Sequence, residues 1–196
     1  MNQLIKEMRD TARELLSSGT VKTVIGWAKG SRWYLTPPVF LNNAEEVDRL
    51  YYDQFAVNNL TGYLLDYRDS DDKIAVFVKG CDSRGIIRLI QDNQINQDRV
   101  VVIGVPCGGM LDKAEVKDHR NPHVLSLLPK CLECRYPNPV YANITVGGVR
   151  VCHEPGEPTG NVLNLLTAKN VGSKKNERFS NVREIMAMDS EEKYEF

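Results

Sequence analysis

The sequence predicts an α/β fold: a parallel-sheet βαβ core followed by a loop-rich, cysteine-bearing C-terminal half. Three observations carry the prediction. Residues 73–78 and 100–105 are short apolar runs rich in β-branched side chains, as strands buried on both faces should be. Between them, residues 84–91 put Ile86, Ile87 and Ile90 at helical spacing, which makes the unit a strand–helix–strand crossover. After Gly109 the texture changes. Prolines stand at 122, 129, 137, 139, 155 and 158, and residues 113–139 read as mostly loop.

The remaining elements follow in chain order. Residues 2–18 form an amphipathic helix, with Leu4, Ile5, Met8, Ala12, Leu15 and Leu16 on one face and Gly19 as its C-terminal cap. Residues 21–28 read as a strand, and 39–41 as a short one after Pro37-Pro38. Asn43 caps a helix over 44–52, and a further helix covers 58–66 with Leu60, Tyr63 and Leu64 inward. Residues 80–83 form a tight turn before the helix at 84–91. A hairpin is expected over 141–152, turning at Gly147-Gly148, and a short helix over 161–168. Residues 1–172 are expected to form one domain. Residues 173–196 read as a polar linker, containing Lys174 and Lys175, and a helix whose stripe of Val182, Ile185 and Met186 is expected to dock a partner.

Composition narrows the function. The 196 residues are 42% hydrophobic and 26% charged, with a formal net charge of -1. That excludes disordered, collagen-like and coiled-coil classes, and it argues against a nucleic-acid or anionic-membrane surface. The longest apolar stretch, 100–111, contains Pro106 and glycines and is too short to span a bilayer. Glu7 and Asp10 mixed with Lys6 and Arg9 do not make a secretory signal, so a cytoplasmic location is expected. The five cysteines are Cys81, Cys107, Cys131, Cys134 and Cys152. In a reducing compartment, Cys131-x-x-Cys134 reads as metal binding or redox chemistry rather than as a disulfide framework.

Both central strands run into a cysteine beside glycine, as Lys79-Gly80-Cys81-Asp82 and Pro106-Cys107-Gly108-Gly109. Sites in open α/β sheets form at the carboxyl ends of the strands. Neighbouring parallel strands lie about 5 Å apart, so Cys81 and Cys107 belong at one edge. Bringing Cys131 and Cys134 over that edge gives four thiolates around one point, which suits a [4Fe–4S] cluster or a structural zinc. The surroundings favour the cluster. Gly80, Gly104, Gly108 and Gly109 permit close backbone approach, and their N–H groups can bond to sulfides. The following helix points its positive end at the same place. Lys79 and Arg84 add charge that tunes it. Zinc has one extra argument in His119 and His123, spaced like ligands before the CxxC, although Pro122 between them breaks a shared helix face. Cys152 reads as a small buried residue, and His153 has no evident partner. Lys29-Gly30-Ser31-Arg32, flanked by Trp27, Trp33 and Tyr34, reads as a packed hairpin in preference to a platform for a planar cofactor. Tyr51, Tyr52, Phe55 and Tyr63 read as core. No residue has the marks of a general acid or base in a pocket.

The runs 78–84 (VKGCDSR) and 102–110 (VIGVPCGGM), with Lys130-Cys131-Leu132-Glu133-Cys134 followed by Pro137 and Pro139, resemble the coenzyme F-420 hydrogenase/dehydrogenase beta-subunit family. Val24-Ile25-Gly26, Pro38-Val39-Phe40, Asn59-Leu60 and Tyr63-Leu64 match as well, so the resemblance covers most of residues 21–147. It implies an iron–sulfur electron-transfer subunit with Cys81, Cys107, Cys131 and Cys134 as cluster ligands. Its implied setting is an anaerobic redox complex of hydrogenase, formate dehydrogenase or heterodisulfide-reductase type. Several members also bind FAD and reduce the deazaflavin coenzyme, but no flavin-contacting motif can be matched here. Longer relatives often carry a cysteine where this chain has Ala56. They continue past a segment like 190–196 into a ferredoxin-like domain. The resemblance therefore implies a ferredoxin-like iron–sulfur subunit and a catalytic oxidoreductase subunit as partners. The rival expectations are a flavin-bearing subunit that reduces a deazaflavin or nicotinamide acceptor, and a zinc-stabilised structural adaptor.

Overall fold

The structure, a computed structural model, describes residues 3–117, 121–149, 151 and 187. Its centre is a five-stranded mixed sheet, as the α/β expectation requires. The strands are Thr23–Trp27 (β1), Pro38–Leu41 (β2), Ile74–Val78 (β3), Val100–Gly104 (β4) and Ile144–Thr145 (β5), in the order β2-β1-β3-β4-β5. β2 runs antiparallel to β1, while the β1–β3, β3–β4 and β4–β5 pairs are parallel. Every residue of β1, β3 and β4 is buried, which is why these runs, Thr23 apart, carry no polar side chain and do not alternate.

The helix Gln3–Ser17 (α1) packs Ile5, Met8, Ala12 and Leu15 inward, and Gly19 ends it with φ of 69°. Its Glu7 carboxylate accepts the Gly147 N–H at 2.7 Å, tying the first helix to the turn after β5. That bond, with a second from Gln3, holds the Glu7 carboxyl below its ordinary value. One continuous core joins α1, the sheet and Ile86 of the crossover helix. Among the described residues no helix is long and apolar enough to cross a membrane.

Four expectations are corrected. The crossover helix is Gly80–Gln91 (α2), so residues 80–83 are its first turn and not a loop before it. Its start is fixed by Lys79, whose carbonyl accepts the Ser83 N–H at 2.9 Å. The Asp82 carboxylate reaches back to the Lys79 N–H at 3.1 Å, half of a capping box. The helix expected over 44–52 is a 3₁₀ segment, Ala44–Arg49, capped by Asn43 as expected. Pairing stops it, because Leu50 bridges Ala28 and the Tyr51 N–H bonds to Trp27 O. The helix expected over 58–66 is likewise 3₁₀, Thr61–Tyr67, with Asn59 holding the Thr61 N–H and hydroxyl. Finally, the described part of the expected hairpin supplies β5, which pairs in parallel with β4. Asn143 sets this register: its N–H bonds to Val102 O and its side chain accepts the Val102 N–H. The helix expected over 161–168, the 173–196 linker and docking stripe, and Cys152, His119 and His153 lie outside the described residues, Ala187 apart.

Candidate metal centre

Cys81 and Cys107 leave β3 and β4 at the same end of the sheet. Cys81 sits in the first turn of α2, and Cys107 follows Val105, whose N–H continues the pairing to Val78 O. The CxxC reaches this edge by two attachments. On one side, the short helix Pro129–Leu132 (α3), which carries Cys131, is laid against residues 109–111. The Leu128 N–H bonds to Met110 O at 2.8 Å, and Leu127 bridges Leu111. Gly109 has φ of 90°, and a Cβ there would stand 3.0 Å from Leu127 and 3.6 Å from Cys131, so only glycine fits without strain.

On the other side, the chain after Cys134 crosses the ends of β3 and β4. The Cys107 N–H bonds to Pro137 O at 3.1 Å, and the Val140 N–H bonds to the Ser83 hydroxyl at 3.0 Å. A Cβ on Gly80 would run into the Tyr136 carbonyl. Gly80 thus admits this crossing strand of chain, which sequence reasoning had assigned to close approach of a cofactor. Gly80→Ala is expected to destabilise the fold by about 1–3 kcal/mol through overpacking, read by urea unfolding. A loss under about 0.5 kcal/mol would show that the crossing segment can lift away freely.

All four thiols are therefore gathered at one edge. Cys107 is in electrostatic contact with Cys81, Cys131 and Cys134, and Cys134 with Cys131. One of them has a backbone N–H bonded to its sulfur: Met110 N–H donates to Cys131 Sγ at 3.4 Å. The Gly109 backbone beside Cys107 and the Tyr136 backbone beside Cys134 favour the ionised forms of those two thiols. Cys81 keeps an open rim to solvent, although protein surrounds the rest of it. That burial, with Asp82 beside it, pushes its thiol up to about 12. Burial pushes Cys107 up to about 11, against the Gly109 N–H and the Lys79 ammonium, and it raises Cys134 as well. Among the described residues, no three His, Cys, Asp or Glu side chains converge to hold a single ion.

The two cations expected at the site are placed differently. Arg84 is exposed and lies over the Tyr136 ring, 4.8 Å from its centroid, where it favours the Cys134 thiolate. Lys79 is buried. Its Nζ is 3.0 Å from Asp82 Oδ2, donates to Ala56 O at 2.9 Å and to Asn58 O at 3.0 Å, and sits 4.2 Å from the Trp27 ring centroid. Its three protons are thus all engaged, and its field still reaches Cys81 and Cys107. Gly108 follows Cys107 in the half-buried turn. His123 is exposed.

Sequence reasoning missed two members of the site, Tyr52 and Asp82. Tyr52 is buried and donates its hydroxyl to Pro106 O at 3.0 Å. Burial, then the nearby Cys107 and Asp82, holds that hydroxyl well above its ordinary value. Asp82 is fully buried beneath the thiols. Its spacing three residues after Lys79 was the available signal. Trp27 and Trp33 resolve as the packed hairpin: Trp27 is fully buried, and Trp33 packs edge-on against Tyr34 and Phe55.

No protein-family model matches the chain. It is 36% identical over 95 residues to the F420-dependent formate dehydrogenase 1 subunit beta of Methanococcus maripaludis, a match covering 48% of this chain and 24% of the relative. It is 34% identical over 97 residues to the F420-dependent formate dehydrogenase subunit beta of Methanocaldococcus jannaschii, covering 50% and 26%. The matched stretch is thus about a quarter of the length of these curated relatives. A chain of the F420-reducing [NiFe] hydrogenase complex from Methanosarcina barkeri shares the fold, with a TM-score of 0.55 at 17% identity, over 86% of this chain and 75% of that one. These relatives bear out the resemblance read from the sequence: over about half its length the chain is similar to F420-dependent formate dehydrogenase beta subunits, and its fold is similar to that of a chain of an F420-reducing hydrogenase complex.

Proposed function

We propose that the chain is an electron-transfer subunit of a redox complex and that Cys81, Cys107, Cys131 and Cys134 hold one [4Fe–4S] cluster. The observation that carries this reading is the placing of Cys81 and Cys107 at one sheet edge, with α3 laying Cys131 against it and the Met110 N–H bonded to the Cys131 sulfur. Such a donor offsets the negative charge of a metal-bound thiolate and raises the potential of a cluster. Burial keeps free thiols protonated here, so a bound metal is needed to supply the positive charge that ionises them.

When bound, the cluster stores and releases an electron. The chain's own residues hold it, supply the Met110 N–H as a donor and, through Lys79 and Arg84, positive charge. By analogy with the relatives, one partner is an oxidoreductase subunit of formate dehydrogenase or hydrogenase type, and the resemblance read from the sequence adds a ferredoxin-like iron–sulfur subunit. The test is a reductive titration of the full chain after anaerobic reconstitution with iron and sulfide. Reversible uptake of about one electron per chain is expected. Uptake of further electrons with flavin absorbance would favour the flavin-bearing reading, and no reversible uptake would overturn electron transfer altogether.

A further inference from the structure

The four thiols are not equally enclosed. Cys81 is exposed, whereas Cys107, Cys131 and Cys134 are half-buried. Electron transfer between proteins falls off steeply with distance, so a carrier approaches a cluster held here most closely from the Cys81 side. The same rim carries exposed cations. Arg84 stands one turn along α2 from Cys81 and lies over the Tyr136 ring, 4.8 Å from its centroid. The Tyr136 carbonyl also lies against Gly80, so residues 134–136 border that turn directly. Arg135 is exposed in that segment, and Lys130 is exposed on α3. Between them Leu132 is 46% exposed, the apolar member of the rim. Glu133, exposed on the same turn, opposes these charges. Asp82 is buried beneath, where Lys79 neutralises it at 3.0 Å. Arg88, a further turn along α2, is matched by Asp92 at 2.9 Å. Taken together these side chains are net positive, on a chain whose formal net charge is -1.

We infer that the rim of Cys81, Arg84, Lys130, Leu132 and Arg135 is the docking face for a small one-electron carrier protein with an acidic surface, and that the electron crosses there. This inference rests on the cluster reading above. Opposite charge on a carrier raises its on-rate and fixes its orientation, and salt screens the effect. The exposed leucine supplies the apolar contact that such interfaces have at their centre. A basic carrier is repelled by the same rim.

The experiment uses the full chain, reconstituted anaerobically with iron and sulfide. It compares wild type, the double variant Lys130→Glu with Arg135→Glu, and Lys73→Glu. Lys73 is exposed just before β3, at the opposite end of the sheet. Two carriers of opposite charge serve as probes. A reduced plant-type [2Fe–2S] ferredoxin, which is acidic, gives one electron to the oxidised cluster. The reduced cluster gives one electron to an oxidised cytochrome c, which is basic. With the ferredoxin, the wild-type stopped-flow rate constant should fall about tenfold from about 20 to about 200 mM salt. The double variant should be about tenfold slower at low salt and should lose that salt dependence, whereas Lys73→Glu should stay within about twofold of wild type. With cytochrome c the double variant should be faster than wild type. A changed midpoint alone would alter the rates but leave their salt dependence in place, so the salt dependence decides. A wild-type rate with the ferredoxin that does not fall with salt overturns the inference, even where the double variant fails to load. So does a loaded double variant that keeps the wild-type salt dependence. Wild type that takes up no iron overturns the cluster reading and this inference together, a result plainly distinct from a loaded chain with unmoved rates.

Discussion

Replacing Lys79 by methionine is expected to cost the fold about 3–5 kcal/mol. The ammonium is almost wholly enclosed, and its carboxylate partner, Asp82, is completely so. Methionine has similar length and fills the space under Trp27, so the loss is electrostatic rather than a cavity. It strands the Asp82 charge away from water and also leaves the Ala56 and Asn58 carbonyls without their donor. Lys79→Met with Asp82→Asn should recover a large part of the loss, because a neutral amide oxygen can still accept the Lys79 backbone N–H that starts α2. Denaturant unfolding of the single and double variants, under one fixed redox condition, checks this. A single variant within about 1 kcal/mol of wild type would show that the pair is open to solvent. Lys79 thus serves the site twice, as a field on Cys81 and Cys107 and as the pin between residues 56–58 and the start of α2.

The second large effect concerns the thiols themselves. Single replacement of Cys81, Cys107, Cys131 or Cys134 by serine should lose most of the iron, at least tenfold in affinity, whereas Cys152→Ala should retain it. Cys107 should be the most damaging position, since its peptide is held by both Tyr52 and Pro137. Metal binding is coupled to folding, so the four serine variants should also lose the stabilisation that iron gives wild type. Iron bound equally by Cys81→Ser and wild type, with loss in Cys152→Ala, would reassign the ligand set.

Much of this was legible from residue order. The two β-branched runs and the isoleucines between them fix the crossover, because strands buried on both faces can hardly be built otherwise. Strand-end logic then puts Cys81 and Cys107 together. The start of α2 was misread because Gly80 is a poor helix former while Asp82 and Ser83 look like caps. The structure uses Asp82 from inside the first turn instead, and Ser83 as an anchor for Val140. The 3₁₀ segments at 44–49 and 61–67 have helical sequences. What shortens the first is the pairing of Leu50 with Ala28, a tertiary event that no local propensity records. Gly147-Gly148 was a sound turn signal, but the partners of Ile144 and Thr145 are Ile103 and Gly104 in β4, out of reach of any local pattern. The place of Tyr52 beside the site and the burial of Lys79 against Asp82 were hidden for a similar reason. Both depend on residues 52–58 folding under the ends of β3 and β4, which only the assembled chain brings about.

The most direct measurement is the iron and acid-labile sulfide content of the full chain purified anaerobically, together with its electron paramagnetic resonance spectrum after reduction. The account predicts about four iron and four sulfide per chain and the signal of a reduced [4Fe–4S] cluster, both lost in Cys107→Ser. A stoichiometric zinc content without sulfide, bound through the same cysteines, would contradict it.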